Sequence, residues 1–279
     1  MDTVPFELAA IDAYPSKQAW DAAAADLVTT MLARWHLVAR EALVGGEAGS
    51  VLRVTTAAGE HAVLKVGFPH VEAVWEAVGL ESWGPRLAPR VLRQDPWTWA
   101  MLLEEVEPGI PLSRGGSLEA GAELYARLSA VPAPRELPTL AETMRPFVDK
   151  AVASSDQHAA GLAEFRALLE LSGDALLHGD YNPGNVLKRG EGWVTIDPKP
   201  MRGDPAFDLW PLVSQVAGGN LRKKLEIACE ITGVDVARAA RWGFARSALN
   251  ISWFLADGNT KAAAVAAKET AEWAAVSAA

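Results

Sequence analysis

The sequence of 279 residues contains a single cysteine, Cys229. No intramolecular disulfide can form, and a reducing compartment suits the chain. A surplus of positive charge is also missing. The formal net charge of −9 at pH 7 argues against a nucleic-acid partner, which would leave a basic footprint. The same acidity is compatible with a cationic ligand. No window approaches the roughly 18 uninterrupted apolar residues of a membrane span, and the alanine-rich stretches are cut by charges. The first residues carry Asp2, Glu7 and Asp12 among short apolar pieces, with no basic start running into an apolar core, so no secretory signal is expected. Together these absences predict a cytoplasmic protein with neither membrane nor nucleic acid as partner.

What is present describes a globular chain: 50% hydrophobic and 22% charged residues, at a length that suits two modest domains or one bilobal unit. Residues Ser16 to Arg34 carry an apolar stripe at helical spacing, Trp20, Ala24, Leu27 and Met31. Extended runs follow at His36–Val44, Val51–Thr56 and His61–Val66, the first two joined by Gly45-Gly-Glu-Ala-Gly-Ser50 and the last two by a turn at Ala57–Glu60. His70 to Trp83 reads as a helix with Val71, Val74, Trp75 and Val78 on one face, and two more strands fall at Arg90–Gln94 and Trp97–Leu103. After the polar connector Glu104–Gly109, nearly everything reads as helix: about 117–130, 139–153, 157–171, 206–217, 220–231, 235–256 and 260–276. The expected class is α+β and bilobal. A small lobe over residues 1–104, with a five-stranded antiparallel sheet, is expected, and a larger helical lobe over 105–279; the motifs and the resemblance given below imply nucleotide binding by the first and catalysis and substrate binding by the second. Most of the eleven tryptophans are expected in the core, with one or two left as a platform for a ring-shaped ligand.

The exception in the helical half is His178-Gly-Asp-Tyr-Asn-Pro-Gly-Asn185, followed by Val194-Thr-Ile-Asp197-Pro-Lys-Pro200. A carboxylate and an amide five positions apart on a tight loop, with a second carboxylate after a short hairpin, supply what phosphoryl transfer needs. The transition state is loose and charge-rich, so catalysis is mainly positioning and charge neutralisation. Asp180 would accept a hydrogen bond from the substrate hydroxyl and align it, whereas an aspartate merely capping a turn is the plainer alternative. Asn185 and Asp197 offer hard oxygen atoms of the kind magnesium prefers, and the hairpin between them would return Asp197 toward Asn185. Lys65, an ammonium among Val63, Leu64 and Val66, would contact nucleotide phosphates and needs a carboxylate partner. Glu76 is preferred, with Glu72 one turn earlier left open, and an edge-strand lysine pointing into water is the alternative. The Gly45–Ser50 loop offers backbone N–H groups to phosphates but does not match the full G-x-G-x-x-G pattern. His178 is read as a structural hydrogen bonder rather than the base, and Asp208 as a brace for the loop.

These residues, in this order, resemble the protein-kinase-like superfamily in its aminoglycoside phosphotransferase branch, and look most like the streptomycin 6-kinase and hydroxyurea phosphotransferase group. The resemblance is carried by His-Gly-Asp-x-x-x-x-Asn, by Ile196-Asp-Pro-Lys199, by Gly203-Asp-Pro-Ala-Phe-Asp208, by Leu64-Lys-Val-Gly67 with His70, and by Leu103-Glu-Glu-Val-Glu-Pro-Gly-Ile-Pro-Leu112. It spans roughly residues 35 to 215. It implies a protein-kinase-like fold using ATP and Mg2+, with Asp180 as catalytic base, Asn185 and Asp197 on the metal and Lys65 on the phosphates. It also implies that Glu104, Glu105 and Val106 form a hinge that meets adenine through its backbone. Gly179 stands where protein kinases have arginine, Pro198-Lys199 replaces Phe-Gly, and no activation loop or Ala-Pro-Glu segment follows. A small cationic hydroxyl compound is therefore expected as acceptor, streptomycin or a related aminoglycoside first, then hydroxyurea or another metabolite. Asp204, Asp208 and Asp257 are candidates for lining its site. A monomer or dimer is expected. A nucleotide-binding protein without catalysis and a metal-dependent hydrolase are the readings from other classes, and the preference between ATP and GTP is left open.

Overall fold

The computed structural model describes residues 3–13, 16–43, 49–171 and 173–278. The chain divides into two compact units, Met1–Ile110 with Leu187–Pro200, and Pro111–Val186 with Met201–Ala279.

In the first unit, helix α1 (Lys17–Trp35) starts where the Ser16 hydroxyl accepts from the Ala19 N–H at 3.2 Å, and ends at His36 in the left-handed region. An Ncap serine satisfies one of the orphan N–H groups of the first turn. Trp20, Ala24, Met31 and Trp35 line its buried side. Strands β1 (Val38–Ala42), β2 (Gly49–Thr55), β3 (His61–Gly67), β4 (Val91–Asp95) and β5 (Ala100–Glu104) form one sheet in the order β1-β2-β3-β5-β4, antiparallel throughout. Strand β3 is internal, and its alternation buries Ala62, Leu64 and Val66 against Trp20, Ala24 and Met31 of α1. The period of two then turns Lys65 to the opposite face. Of the Gly45–Ser50 loop, Gly49 and Ser50 open β2, and residues 44–48 lie outside the described residues.

Two expectations in this unit need correction. The helix read from His70 is instead a 3-10 turn at Val71–Ala73 followed by α2 (Glu76–Trp83). Val71 is 58% exposed and does not belong to the buried face. The break places Glu76 in the first turn of α2, where a carboxylate meets the positive end of the helix. Strand β5 begins at Ala100 rather than Trp97, because the Asp95 carboxylate accepts from the N–H groups of Trp97 and Thr98 at 3.1 and 3.2 Å and builds a turn. Trp99 closes that turn with a φ of 53° and stacks on Phe6 at 4.9 Å.

A second sheet, β6 (Pro108–Pro111), β8 (Val186–Arg189) and β9 (Gly192–Thr195), has the order β6-β8-β9. Strand β6 arises from the segment read as a connector; proline is tolerated there because β6 is an edge. Residues 187–200 are fastened within the first unit: the Thr195 N–H donates to the Leu87 carbonyl at 2.8 Å and Arg189 Nη1 to the Pro85 carbonyl at 2.6 Å.

The second unit holds α3 (Leu118–Ser129), α4 (Leu140–Lys150), α5 (Asp156–Leu169), α6 (Leu209–Gln215), α7 (Leu221–Thr232), α8 (Val236–Ala256) and α9 (Thr260–Ser277), each close to its sequence-predicted span. Ser117, Thr139, Ser155, Asn220, Asp235 and Asn259 cap six of them with their side-chain oxygens. The short antiparallel pair β7 (Ala175–Leu177) and β10 (Met201–Gly203) frames the His178–Asn185 loop. Beneath it, Phe165, Phe207 and Trp242 meet edge to face at 5.2 to 6.4 Å.

Candidate active site

The candidate residues fall in both units, and each group is built from its own surroundings. In the first unit, Lys65 projects from the face of β3 that turns away from α1. Its Nζ donates to Glu76 Oε1 at 2.6 Å and to Asp197 Oδ1 at 2.5 Å. Of the two carboxylates left open for Lys65, Glu76 takes the ammonium, while Glu72 faces Lys199 at 3.8 Å. Asp197 follows β9 with a φ of 56°, a left-handed conformation that aspartate tolerates better than bulky residues.

One ammonium here serves two carboxylates. Burial works to neutralise Lys65, but Glu76 and Asp197 outweigh it and raise its pKa, so the lysine stays charged. The surplus negative charge weighs on Glu76, which is 3% exposed. Its carboxyl is pushed up to about 7, chiefly by burial and further by Asp197, against the pull of Lys65. His70 is lowered to about 4 by burial and then by Lys199 and Lys65, so it is neutral at pH 7.

The expected hinge residues are held by arginines. Glu105 accepts from Arg40 at 2.7 Å and pairs with Arg53 at 2.8 Å. Glu104 accepts from the backbone N–H of Arg90 at 3.1 Å and lies 3.5 Å from Arg189. Val106 is buried. Both carboxylates are committed to arginines of the same unit, and the Glu104 N–H donates to the Arg90 carbonyl at 3.0 Å.

In the second unit, the buried pair Leu176–Leu177 ends β7 and anchors the loop. Gly179 has a φ of 81°, a conformation glycine adopts at no steric cost, and this accounts for glycine at that point. Asp208 Oδ2 accepts from the His178 N–H at 2.6 Å, and Oδ1 from the Gly179 N–H at 2.9 Å. His178 is buried, and its Nδ1 accepts from the Asp180 N–H at 3.2 Å, which gives the ring a structural task. Burial pushes Asp208 up to about 6, while Arg246 and the two backbone donors pull the other way.

The Asp180 carboxylate stands between two amides. Asn182 Nδ2 donates to Oδ1 at 3.2 Å, and Asn185 Nδ2 donates to the Asp180 carbonyl at 2.9 Å and lies 3.5 Å from Oδ2. An amide oxygen and a carboxylate, Asn185 and Asp197, are hard donors that fit Mg2+ and would suit a soft metal poorly.

Sequence reading did not single out Asn182 or Arg246. Arg246, on α8, is 6% exposed; it donates to the carbonyls of Phe207 at 3.0 Å and Gly179 at 3.3 Å and lies over the Phe207 ring at 3.9 Å. Asn-Pro-Gly is a turn signal that could have flagged Asn182, but no local pattern flags an arginine inside a long helix. Two acidic candidates for a cationic ligand are already taken. Asp204 is buried and accepts from Arg238 at 2.5 Å and from the Trp242 indole at 2.6 Å, and Asp208 serves the loop backbone. Asp257 is exposed at the end of α8.

Comparison with known proteins bears on this arrangement. The model of the "Aminoglycoside/hydroxyurea antibiotic resistance kinase" family matches residues 34–258. Streptomycin 6-kinase of Streptomyces glaucescens is 37% identical over 87% of this chain and 86% of its own. Hydroxyurea phosphotransferase of Kitasatospora aureofaciens is 35% identical over 83% of this chain and 73% of its own. Among solved structures, a choline/ethanolamine kinase family protein from Mesorhizobium loti aligns with a TM-score of 0.66 at 21% identity, covering 92% of this chain and 94% of its own, which shows the fold. No helix among the described residues is long and apolar enough to cross a membrane. With its catalytic-loop pattern and a match over most of its length, the chain belongs to the aminoglycoside/hydroxyurea antibiotic resistance kinases.

Proposed function

We propose that this kinase moves the γ-phosphoryl group of ATP, with Mg2+, to a hydroxyl of streptomycin or a related aminoglycoside. The observation that carries the reading is the 37% identity to a streptomycin 6-kinase across 86% of that enzyme. The 35% identity to a hydroxyurea phosphotransferase supports hydroxyurea as the second acceptor.

Asp180 accepts a hydrogen bond from the acceptor hydroxyl and aligns it for in-line attack, the proton passing to the carboxylate as the new P–O bond forms. The amides of Asn182 and Asn185 limit the rotation of that carboxylate. Lys65, kept charged by its two carboxylates, binds the nucleotide phosphates, and Glu76 keeps the ammonium in place. Asn185 and Asp197 would hold Mg2+, which when bound neutralises phosphate charge. Glu104, Glu105 and Val106 meet the adenine through their main chain. The unit Met1–Ile110 with Leu187–Pro200 is thus the nucleotide-binding part, and the helical unit presents the base and takes the acceptor.

The test is ADP release with Mg2+ and ATP across streptomycin, other aminoglycosides, hydroxyurea, and simple amino-alcohols and sugars. Turnover on streptomycin is expected, and turnover only on hydroxyurea would move the assignment to the second acceptor. Asp180→Asn should lower kcat by about 10²- to 10⁴-fold, the usual worth of a positioned general base, and leave nucleotide binding intact. Unchanged turnover in that variant would remove Asp180 from the role.

A further inference from the structure

We infer that Asn182 is a positioning residue of the transfer reaction: its amide bridges the catalytic-loop turn and the Asp180 carboxylate, and fixes the direction in which that carboxylate faces. The inference rests on the reading of Asp180 as the base. The orientation of the amide follows from its neighbours. Two backbone N–H groups, those of Gly184 at 2.8 Å and Asn185 at 3.2 Å, donate to one end of it. Only an oxygen can receive them, so that end is Oδ1. The other end is then the NH2 group, and it faces acceptors alone: Asp180 Oδ1 at 3.2 Å and the Asp180 carbonyl at 3.4 Å. Reversing the amide would set donor against donor on one side and oxygen against oxygen on the other.

An independent steric feature supports the assignment. A Cβ placed on Gly184 would lie 2.9 Å from Asn182 Oδ1, inside normal contact, so glycine at 184 is what lets the amide settle there. The loop also orders its residues in series. The Asn185 N–H points at Asn182, at the carbonyl at 3.0 Å and the side-chain oxygen at 3.2 Å. Asn182 thereby sets the base on one side and the backbone of the proposed metal ligand on the other, from a single planar group.

Asn182→Asp separates the two tasks of the side chain. A carboxylate keeps an acceptor for the Gly184 and Asn185 N–H groups, so the turn can still form, but it cannot donate to Asp180 and sets a second negative oxygen against Asp180 Oδ1. The expected result is a fall in kcat of about tenfold to 10²-fold, the scale on which misplacement of a reacting group acts, with the KM for ATP within about twofold of wild type. Gly184→Ala, which pushes the amide off its place without altering it, should lower kcat in the same direction. Wild-type kcat in Asn182→Asp would overturn the inference, as would a loss confined to melting temperature. A readout that needs no turnover accompanies these. In 15N-labelled protein, the side-chain amide resonance of Asn182, assigned by its loss in Asn182→Asp, should move in Asp180→Ala. If wild type phosphorylates no acceptor, the kinase reading fails while this resonance still decides whether Asn182 holds Asp180. A resonance unmoved by Asp180→Ala overturns it.

Discussion

Burial, and to a lesser degree the neighbouring Asp197, disfavour the charged form of Glu76 even though Lys65 donates to it. A carboxyl pushed up to about 7 binds its proton more tightly in the folded than in the unfolded chain, where the ordinary value is 4.5. Its contribution to stability is therefore fully present at pH below that ordinary value and is lost as pH rises through about 7. His70 acts in the opposite sense: with its pKa lowered to about 4, its contribution is present above 6.5 and lost as pH falls. Because His70 is common to both proteins, comparing wild type with Glu76→Gln isolates the glutamate. The melting temperature of wild type should drop more between about pH 5 and pH 7.5 than that of Glu76→Gln. Parallel profiles would show that Glu76 does not titrate there. At this scale the sequence named Lys65 and both possible partners. The choice between them needed the break at Val71–Ala73, since an unbroken helix from His70 carries Glu72 and Glu76 on neighbouring turns of one face.

Helices in the second unit were legible because each carries its own signals. Asn220, Asp235 and Asn259 stand one position before the segments they cap, and Gly233, with a φ of 73°, ends α7. Of the short strands, the hairpin of β8 and β9 was legible, whereas β7 and β10 were not. Strands β7 and β10 have three residues each, and their pairing joins Leu177 to Met201 across the whole catalytic loop and hairpin. No periodicity can be read from three residues. How α8 and α9 approach each other is equally invisible in the sequence. A Cβ on Gly243 of α8 would lie 2.2 Å from the Trp273 ring of α9. That ring is buried, and its indole N–H donates to Ser214 Oγ at 3.0 Å, so it has little freedom to retreat. Alanine for glycine inside a helix would gain about 1 kcal/mol of propensity. Overpacking costs typically about 1–3 kcal/mol, and more where the intruding atom overlaps a ring this deeply. Gly243→Ala should therefore be net destabilising, seen as a lower denaturant midpoint; a midpoint at or above wild type would contradict this.

On the scale of the whole molecule, residues Leu187–Pro200 belong with the N-terminal unit although the helical chain surrounds them in sequence. That membership brings Asp197 to Lys65, 132 positions away in the chain. A ligand that binds only the folded state stabilises it by about 2.7 kcal/mol at a hundred times its dissociation constant. Saturating ATP with Mg2+ should then raise the melting temperature by several degrees, and Lys65→Met should remove most of that rise while the unliganded protein still melts cooperatively. An equal rise in both proteins would take Lys65 out of nucleotide binding.

The amino-acid sequence by itself determined the local grammar of this kinase: α1 from its stripe, the five-stranded sheet from alternation and turns, and the long helices from their period; it also marked Asp180, Asn185, Asp197 and Lys65 as candidates by chemistry at fixed spacing. These follow from interactions within a few residues, which a linear pattern records. The tertiary structure decided which carboxylate meets Lys65, that Asp204 and Asp208 turn inward to Trp242 and the loop backbone, and that Arg246 holds the His178–Asn185 loop. Most of those contacts join positions 29 to 67 residues apart. Burial makes each such partner necessary, because a polar group taken from water must be satisfied. Which partner arrives depends on how the elements pack, and no stretch of sequence near either residue encodes it.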